Sequence, residues 1–246
     1  LSSAASDVYK RQIQYNNLNP RFDFARECIS TCTRALYRVF AARTSALEGK
    51  VKVIHLISGG DTGGARTHVY SLLKYLGQII DVQLVCFRGG DFADGAAALG
   101  IPTMVLGKGF LANLGALKRI IRDGEYDLVH CHGALANVSG ALLRRHLHVP
   151  VISTVHSDYR LDYLGRPFAR AVYGTLNTWA LHQLDYRVCV SDPIRQRLID
   201  RGFEPNRLFS IYNGLDFSHV VPKTDRAAYF AQFGYTVHEG DVIAGI

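Results

Sequence analysis

Val51-Lys-Val-Ile-His-Leu-Ile-Ser58, followed by Gly59-Gly-Asp-Thr-Gly-Gly64, decides how this chain is read. The first eight residues are an almost unbroken apolar run, as expected of a strand covered by helices on both faces. The next six are glycine-rich loop. Ala65, Val69, Leu72, Leu73 and Leu76 then recur at helical spacing. Strand, loop and helix open a βα unit, and the alternation continues downstream. Strands are expected at Asp81–Phe87, Ile101–Leu106, Tyr126–Cys131, Val149–Val155, Asp185–Val190 and Arg207–Tyr212. Helices are expected around Leu114–Ile121 with Asn113 as N-cap, at Leu135–Leu143 and at Phe168–Leu181. A further helix takes Asp192 as N-cap and Pro193 as first helical residue, and ends at Gly202. Repeated βα units predict an α/β fold built on a doubly wound parallel sheet.

Composition narrows the classes. Hydrophobic residues make up 48% of the 246 and charged residues 20%, which excludes a disordered or collagen-like chain and allows one or two domains. The net charge is +7, but residues 1–50 alone carry eight Lys/Arg against four Asp/Glu. The rest is only mildly basic and shows no dense basic face of the kind nucleic acid requires. Attraction to an anionic substrate or membrane surface stays open. The cysteines number five, an odd and sparse set, with Cys86, Cys131 and Cys189 in apolar runs. They read as reduced, buried thiols of a cytoplasmic protein. No apolar run approaches about 18 residues, and no secretory signal is evident.

Both ends read as cut. Residues 1–12 resemble a translated sequencing adapter and are treated as non-native. Residues 13–50 form a helical extension, with Phe22, Ala25, Ile29, Cys32, Leu36, Val39 and Phe40 on one face and Arg26, Arg34 and Arg38 off it. That stripe suits a helix packed on the domain or one lying on a membrane. Cys28 and Cys32 have metal-ligand spacing without a second pair. Residues 51–212 form the main domain, 213–240 a connector and helix, and 241–246 the first strand of a truncated second domain.

The chemistry gathers at strand ends. Gly63 and Gly64 would let a phosphate approach the backbone, and the amides of the following helix favour an anion. A dinucleotide fingerprint fails at Asp61, and a Walker A loop fails at Ala65 and Arg66. A purely structural turn is the alternative. His130 and His132 share one strand face, with His132 toward the cleft. No third zinc ligand is evident near them in sequence, and no metal is expected. His146 and His148 read as surface residues. His156 ends a strand, where an imidazole could contact a sugar hydroxyl or phosphate. Tyr159 and Arg160, followed by Tyr163, Arg166, Phe168 and Arg170, suit an anionic or lipid-linked acceptor, or a solvated face.

Five segments in order carry a resemblance. They are Gly59-Gly-Asp-Thr-Gly-Gly-Ala65, Tyr126-Asp-Leu-Val-His-Cys-His-Gly133, Thr154-Val-His156, Asp185-Tyr-Arg-Val-Cys-Val-Ser191 and Ile211-Tyr-Asn-Gly-Leu-Asp216. Together they resemble the N-terminal half of a family 4 retaining glycosyltransferase of the GT-B fold, over about residues 51–246. The resemblance implies a Rossmann-like acceptor domain facing a donor domain across a cleft. It implies transfer of a sugar from a nucleotide-sugar donor to a glycan, lipid-linked or small-molecule acceptor, with retention and without a bound metal or other cofactor. Gly63 and Gly64 match the loop that approaches the donor diphosphate. His156 matches the active-site histidine, and Asn213 and Gly214 match the connector pair. Arg66 stands where many members have Glu or Gln; with His132, Tyr159 and Arg160 it is assigned to the acceptor side of the cleft. The donor signature would lie beyond Ile246, so residues 1–246 alone are expected to be inactive. Cytoplasmic action at the inner membrane face is expected. A non-catalytic Rossmann-like binding domain and a nucleotide-dependent oxidoreductase are the rival readings.

Overall fold

The order of the strands fixes where a ligand can bind. A computed structural model describes residues 51–158, 173–213, 225–238 and 240–241. Seven strands form one parallel sheet: β1 Lys52–Ile57, β2 Asp81–Cys86, β3 Thr103–Val105, β4 Leu128–His132, β5 Val151–Val155, β6 Tyr186–Cys189 and β7 Leu208–Ser210. Their spatial order is β3-β2-β1-β4-β5-β6-β7. It reverses between β1 and β4, and the crevice outside the carboxyl ends of those strands is the ligand position of doubly wound sheets.

Helices α1 Gly63–Leu76, α2 Asp91–Ala98, α3 Phe110–Asp123, α4 Ala134–Leu143, α5 Thr175–Gln183 and α6 Asp192–Asp200 connect the strands. Side chains alternate along each strand, so each face has its own core. On one face Ile54, Leu56, Val129, Cys131 and Val151 pack with Leu117 and Ile121 of α3, Ala136 of α4 and Leu181 of α5. On the other, Ile57 and Leu84 pack with Val69 and Leu73 of α1 and Phe92 of α2. At the base of that face lie Val53, Leu128 and Ile152. Between α4 and α5, buried Asp185 accepts from the Val151 amide at 2.9 Å and pairs with Arg144.

Several local expectations are corrected. Helix α2 lies where none was anticipated. Helix α3 starts at Phe110 with Gly109 as N-cap, so Asn113 sits inside it. Asn113 instead accepts from the Lys108 amide and donates to the Lys108 carbonyl, pinning the preceding loop. Ser191, not Asp192, caps α6, its hydroxyl accepting from the Ile194 amide. The polypeptide divides into two units, Leu1–Leu215 and Asp216–Ile246. In the second, Asp225 caps helix α7, Arg226–Ala231. The 21–43 stripe, Cys28, Cys32, Tyr159, Arg160, Tyr163, Arg166, Phe168, Arg170, Gly214 and the strand expected at 241–246 (apart from Asp241, which has no assigned strand) lie outside the described residues.

Candidate active site

Parallel register stacks imidazoles across two neighbouring strands, β1 and β4. His55 of β1 stands beside His130 of β4, and Ile57 beside His132. His132 in turn stands beside Thr154 of β5. His55, His130 and His132 are buried, and the His130 and His132 rings stack with centroids 4.4 Å apart. Helix α1 adds His68, whose ring meets that of His156 edge-on at 4.8 Å. Five imidazoles thus share one face of the sheet at its carboxyl end.

Nitrogen contacts run from the interior to the cleft. His55 Nδ1 lies 3.1 Å from His132 Nε2, and His132 Nδ1 lies 3.4 Å from His156 Nε2. His130 Nε2 is 2.7 Å from the Thr154 hydroxyl. His55 Nε2, His68 Nε2 and His130 Nδ1 are buried without a hydrogen-bond partner. Burial disfavours the charged imidazolium, and like charges nearby add to that. Burial, with the neighbouring His68, lowers His55 and His156 to about 3. Burial lowers His68 to about 4, against a hydrogen bond from Asn213. His130 and His132 fall well below the ordinary value for the same reasons. Near pH 7 the five rings are neutral.

A cavity of about 150 Å³ opens above these rings, lined among others by Asp61, His132, Thr154, His156, Asn137 and Asn177. Its far wall is locked by polar contacts. The Ser153 hydroxyl donates to Asn137 Oδ1 at 2.7 Å, and Asn137 Nδ2 donates to Asn177 Oδ1 at 2.8 Å. Asp61 is held by the Ser58 hydroxyl at 2.5 Å. The cavity is therefore polar, shaped and rich in groups that exchange hydrogen bonds with hydroxyls.

The glycine loop rims this cavity. Gly59 has a φ of +87°, and a Cβ there would sit 2.2 Å from the Arg88 carbonyl oxygen, so glycine is required. Gly63, the first residue of α1, has a φ of +61°, while a Cβ on Gly64 would meet no atom within 4 Å. The positive φ thus falls on Gly63, and Gly64 borders open space. Thr62 makes no side-chain cap and the first turn holds no acidic residue, so its amides keep free donors for an anion. Arg66 does not line the cavity. Its guanidinium donates to the Asp91 carbonyl at the start of α2 and lies 5.3 Å from the Tyr70 ring.

His132, His156 and Asn213 converge on the His68 edge of the site. Sequence reasoning missed His55, His68, Asp61, Asn137 and Asn177. Two signals were available: a lone polar residue in the apolar run of β1, and a histidine on the inward stripe of α1.

A doubly wound parallel α/β domain, with its ligand crevice at the strand reversal, is the class that this fold defines. A family model described as Glycosyltransferase Family 4 matches residues 62–219, and the chain belongs to that family. It is 23% identical over 155 residues to the UDP-Gal:alpha-D-GlcNAc-diphosphoundecaprenol alpha-1,3-galactosyltransferase of Escherichia coli, covering 59% of this chain and 40% of that protein. Among solved structures it resembles Anabaena Alr3699/HepE in complex with UDP-glucose, with a TM-score of 0.61 and 18% identity over 74% of this chain and 50% of that one. It also resembles the apo form of the lipopolysaccharide outer core galactosyltransferase WaaB, with a TM-score of 0.51 and 16% identity over 72% and 50%. The chain spans half or less of the length of these relatives. Among the described residues, no helix is long and apolar enough to cross a membrane.

Proposed function

We propose that the whole protein transfers a sugar from a nucleotide-sugar donor to a hydroxyl of a glycan, lipid-linked or small-molecule acceptor, with retention of configuration. The observation that carries this reading is the polar cavity at the strand reversal of a family 4 domain, with neutral His156 on its wall. A neutral imidazole both accepts and donates, which suits a sugar hydroxyl better than an imidazolium would. His156 acts as the catalytic residue by fixing the transferred sugar against the acceptor oxygen, a positioning effect that lowers the barrier. Gly63, Gly64 and the free amides of α1 receive the donor diphosphate and stabilise charge on the leaving group. Asp61, His132, Asn137 and Asn177 hold the acceptor side, with Tyr159 and Arg160 extending it, and Asn213 and Gly214 serve the connector. A lipid-linked acceptor would bring the protein to the cytoplasmic face of a membrane.

The test is transfer from a panel of labelled nucleotide-sugars to hydroxyl acceptors by the whole protein, with the product's anomeric configuration read by NMR. A retained configuration in a transferred product is expected. A protein that binds nucleotide-sugars but transfers nothing would instead fit the non-catalytic binding domain.

A further inference from the structure

We propose that His132, anchored by buried His55, is a positioning residue as well as part of the acceptor wall. It sets the tautomer of His156, so that His156 Nδ1 presents an N–H donor to the transferred sugar, a step that rests on the role proposed for His156 above. Two contacts link the three rings, and each joins an Nδ1 to an Nε2. His55 Nδ1 lies 3.1 Å from His132 Nε2, and His132 Nδ1 lies 3.4 Å from His156 Nε2. Burial keeps all three rings neutral near pH 7, so each has one N–H and one bare nitrogen.

Each contact takes a proton from one side only. When His55 Nδ1 donates, His132 Nε2 accepts, and the His132 proton stands on Nδ1. That proton is donated to His156 Nε2, which leaves the His156 proton on Nδ1. When His156 Nε2 donates instead, every proton moves to Nε2. The repeated pairing therefore gives the three rings one common tautomer, all Nδ1–H or all Nε2–H.

The interior end of the row selects between them. His55 is fully buried, and its Nε2 has no hydrogen-bond partner. In the Nε2–H form that atom is an orphaned buried donor, which protein interiors tolerate less often than an under-satisfied acceptor. The Nδ1–H form leaves a bare nitrogen there instead. His130 stacks on His132 and is tied to the Thr154 hydroxyl at 2.7 Å, and this holds the middle ring. At the open end His156 lines the cavity, and its Nδ1 is the nitrogen left for a ligand. His132 lines the cavity too, but both its nitrogens are engaged, so it meets an acceptor with ring surface only. An imidazole in the wrong tautomer costs an enzyme up to about 10⁴ in kcat.

The full chain, labelled with ¹⁵N, is studied at pH 7.5 with no nucleotide or acceptor present. Long-range ¹H–¹⁵N correlations of each imidazole read which nitrogen holds the proton. Free neutral histidine favours Nε2–H, so the expected Nδ1–H form of His55, His132 and His156 differs from the default. In His132→Ala, checked for parental circular dichroism, water reaches His156 Nε2 and His156 should return to mainly Nε2–H. These spectra contain no sugar, so they read the tautomer whether or not His156 serves transfer, which the activity of His156→Ala tests separately. A parent with His156 in the Nε2–H form, or with different tautomers in His132 and His156, overturns the proposal, and no folding defect can explain it. A folded His132→Ala protein that keeps His156 as Nδ1–H overturns it equally.

Discussion

On one face of β1, β4 and β5, Ile54, Leu56, Val129, Cys131, Val151 and Val155 close against α3, α4 and α5, and the polar groups buried with them, Ser153, Asn137 and Asn177, are hydrogen-bonded to one another. On the other face of the same strands, His55, His130, His132 and Thr154 stack, and three imidazole nitrogens of this face and α1 lack partners. Burial is alike on both faces, so burial alone does not separate stability from function. What separates them is polar satisfaction. Apolar contacts on the first face stabilise the fold, whereas unpartnered nitrogens on the second cost stability and are tolerated where a ligand can use them.

Acid should expose the difference most strongly. The unfolded chain takes up protons on His55, His68, His130, His132 and His156 near pH 6.5, while the folded chain resists, with His68 titrating at about 4 and His55 and His156 at about 3. Between those limits the unfolded state binds more protons, so stability is full above about pH 6.5 and falls as the pH falls. Each group contributes a slope of about 1.4 kcal/mol per pH unit. Denaturant melts from pH 7.5 to 4.5 should show this loss. A flat profile would mean that the imidazoles are hydrated in solution.

Next in size is the apolar face. Leu56→Ala, at a fully buried position, should cost about 2.7–5 kcal/mol by equilibrium denaturation. Its neighbour His55, equally buried, should behave differently: His55→Leu removes one unpartnered nitrogen but leaves His132 Nε2 without its His55 contact, so the loss at pH 7 should be smaller, about 1–3 kcal/mol. Equal losses at the two positions would erase the distinction between the faces. The smallest effect is expected at Arg66, outside the cavity. Arg66→Ala removes a hydrogen bond to Asp91 but also a cation from the first turn of α1, so stability should move by only some tenths of a kcal/mol. Product affinity, read by calorimetry, should not change.

The parallel sheet was legible because strands buried on both faces read as apolar runs between helical stripes. Helix α2 was not, since Asp91-Phe-Ala-Asp-Gly-Ala-Ala-Ala98 is short and glycine-containing and offers little apolar periodicity. That omission explains the misplacement of Arg66, whose partner is the first carbonyl of that helix. His132 and His156 were legible as strand-end histidines. The histidine layer was not, because it depends on which strands are neighbours: β1 and β4 pair across more than 70 residues of sequence. Asn137 and Asn177 join for the same reason, through the packing of α4 on α5.

The central claim is that the imidazole face serves catalysis and not the fold. The most direct measurement is the kcat/KM of the whole protein for nucleotide-sugar-dependent transfer, with the melting temperature of the same samples, for the parent and His156→Ala. Losing one catalytic hydrogen bond of about 2.7–4 kcal/mol should lower kcat/KM by about 10²–10³, with the melting temperature at pH 7.5 held within a few degrees. A folded His156→Ala protein with parental kcat/KM would contradict the account.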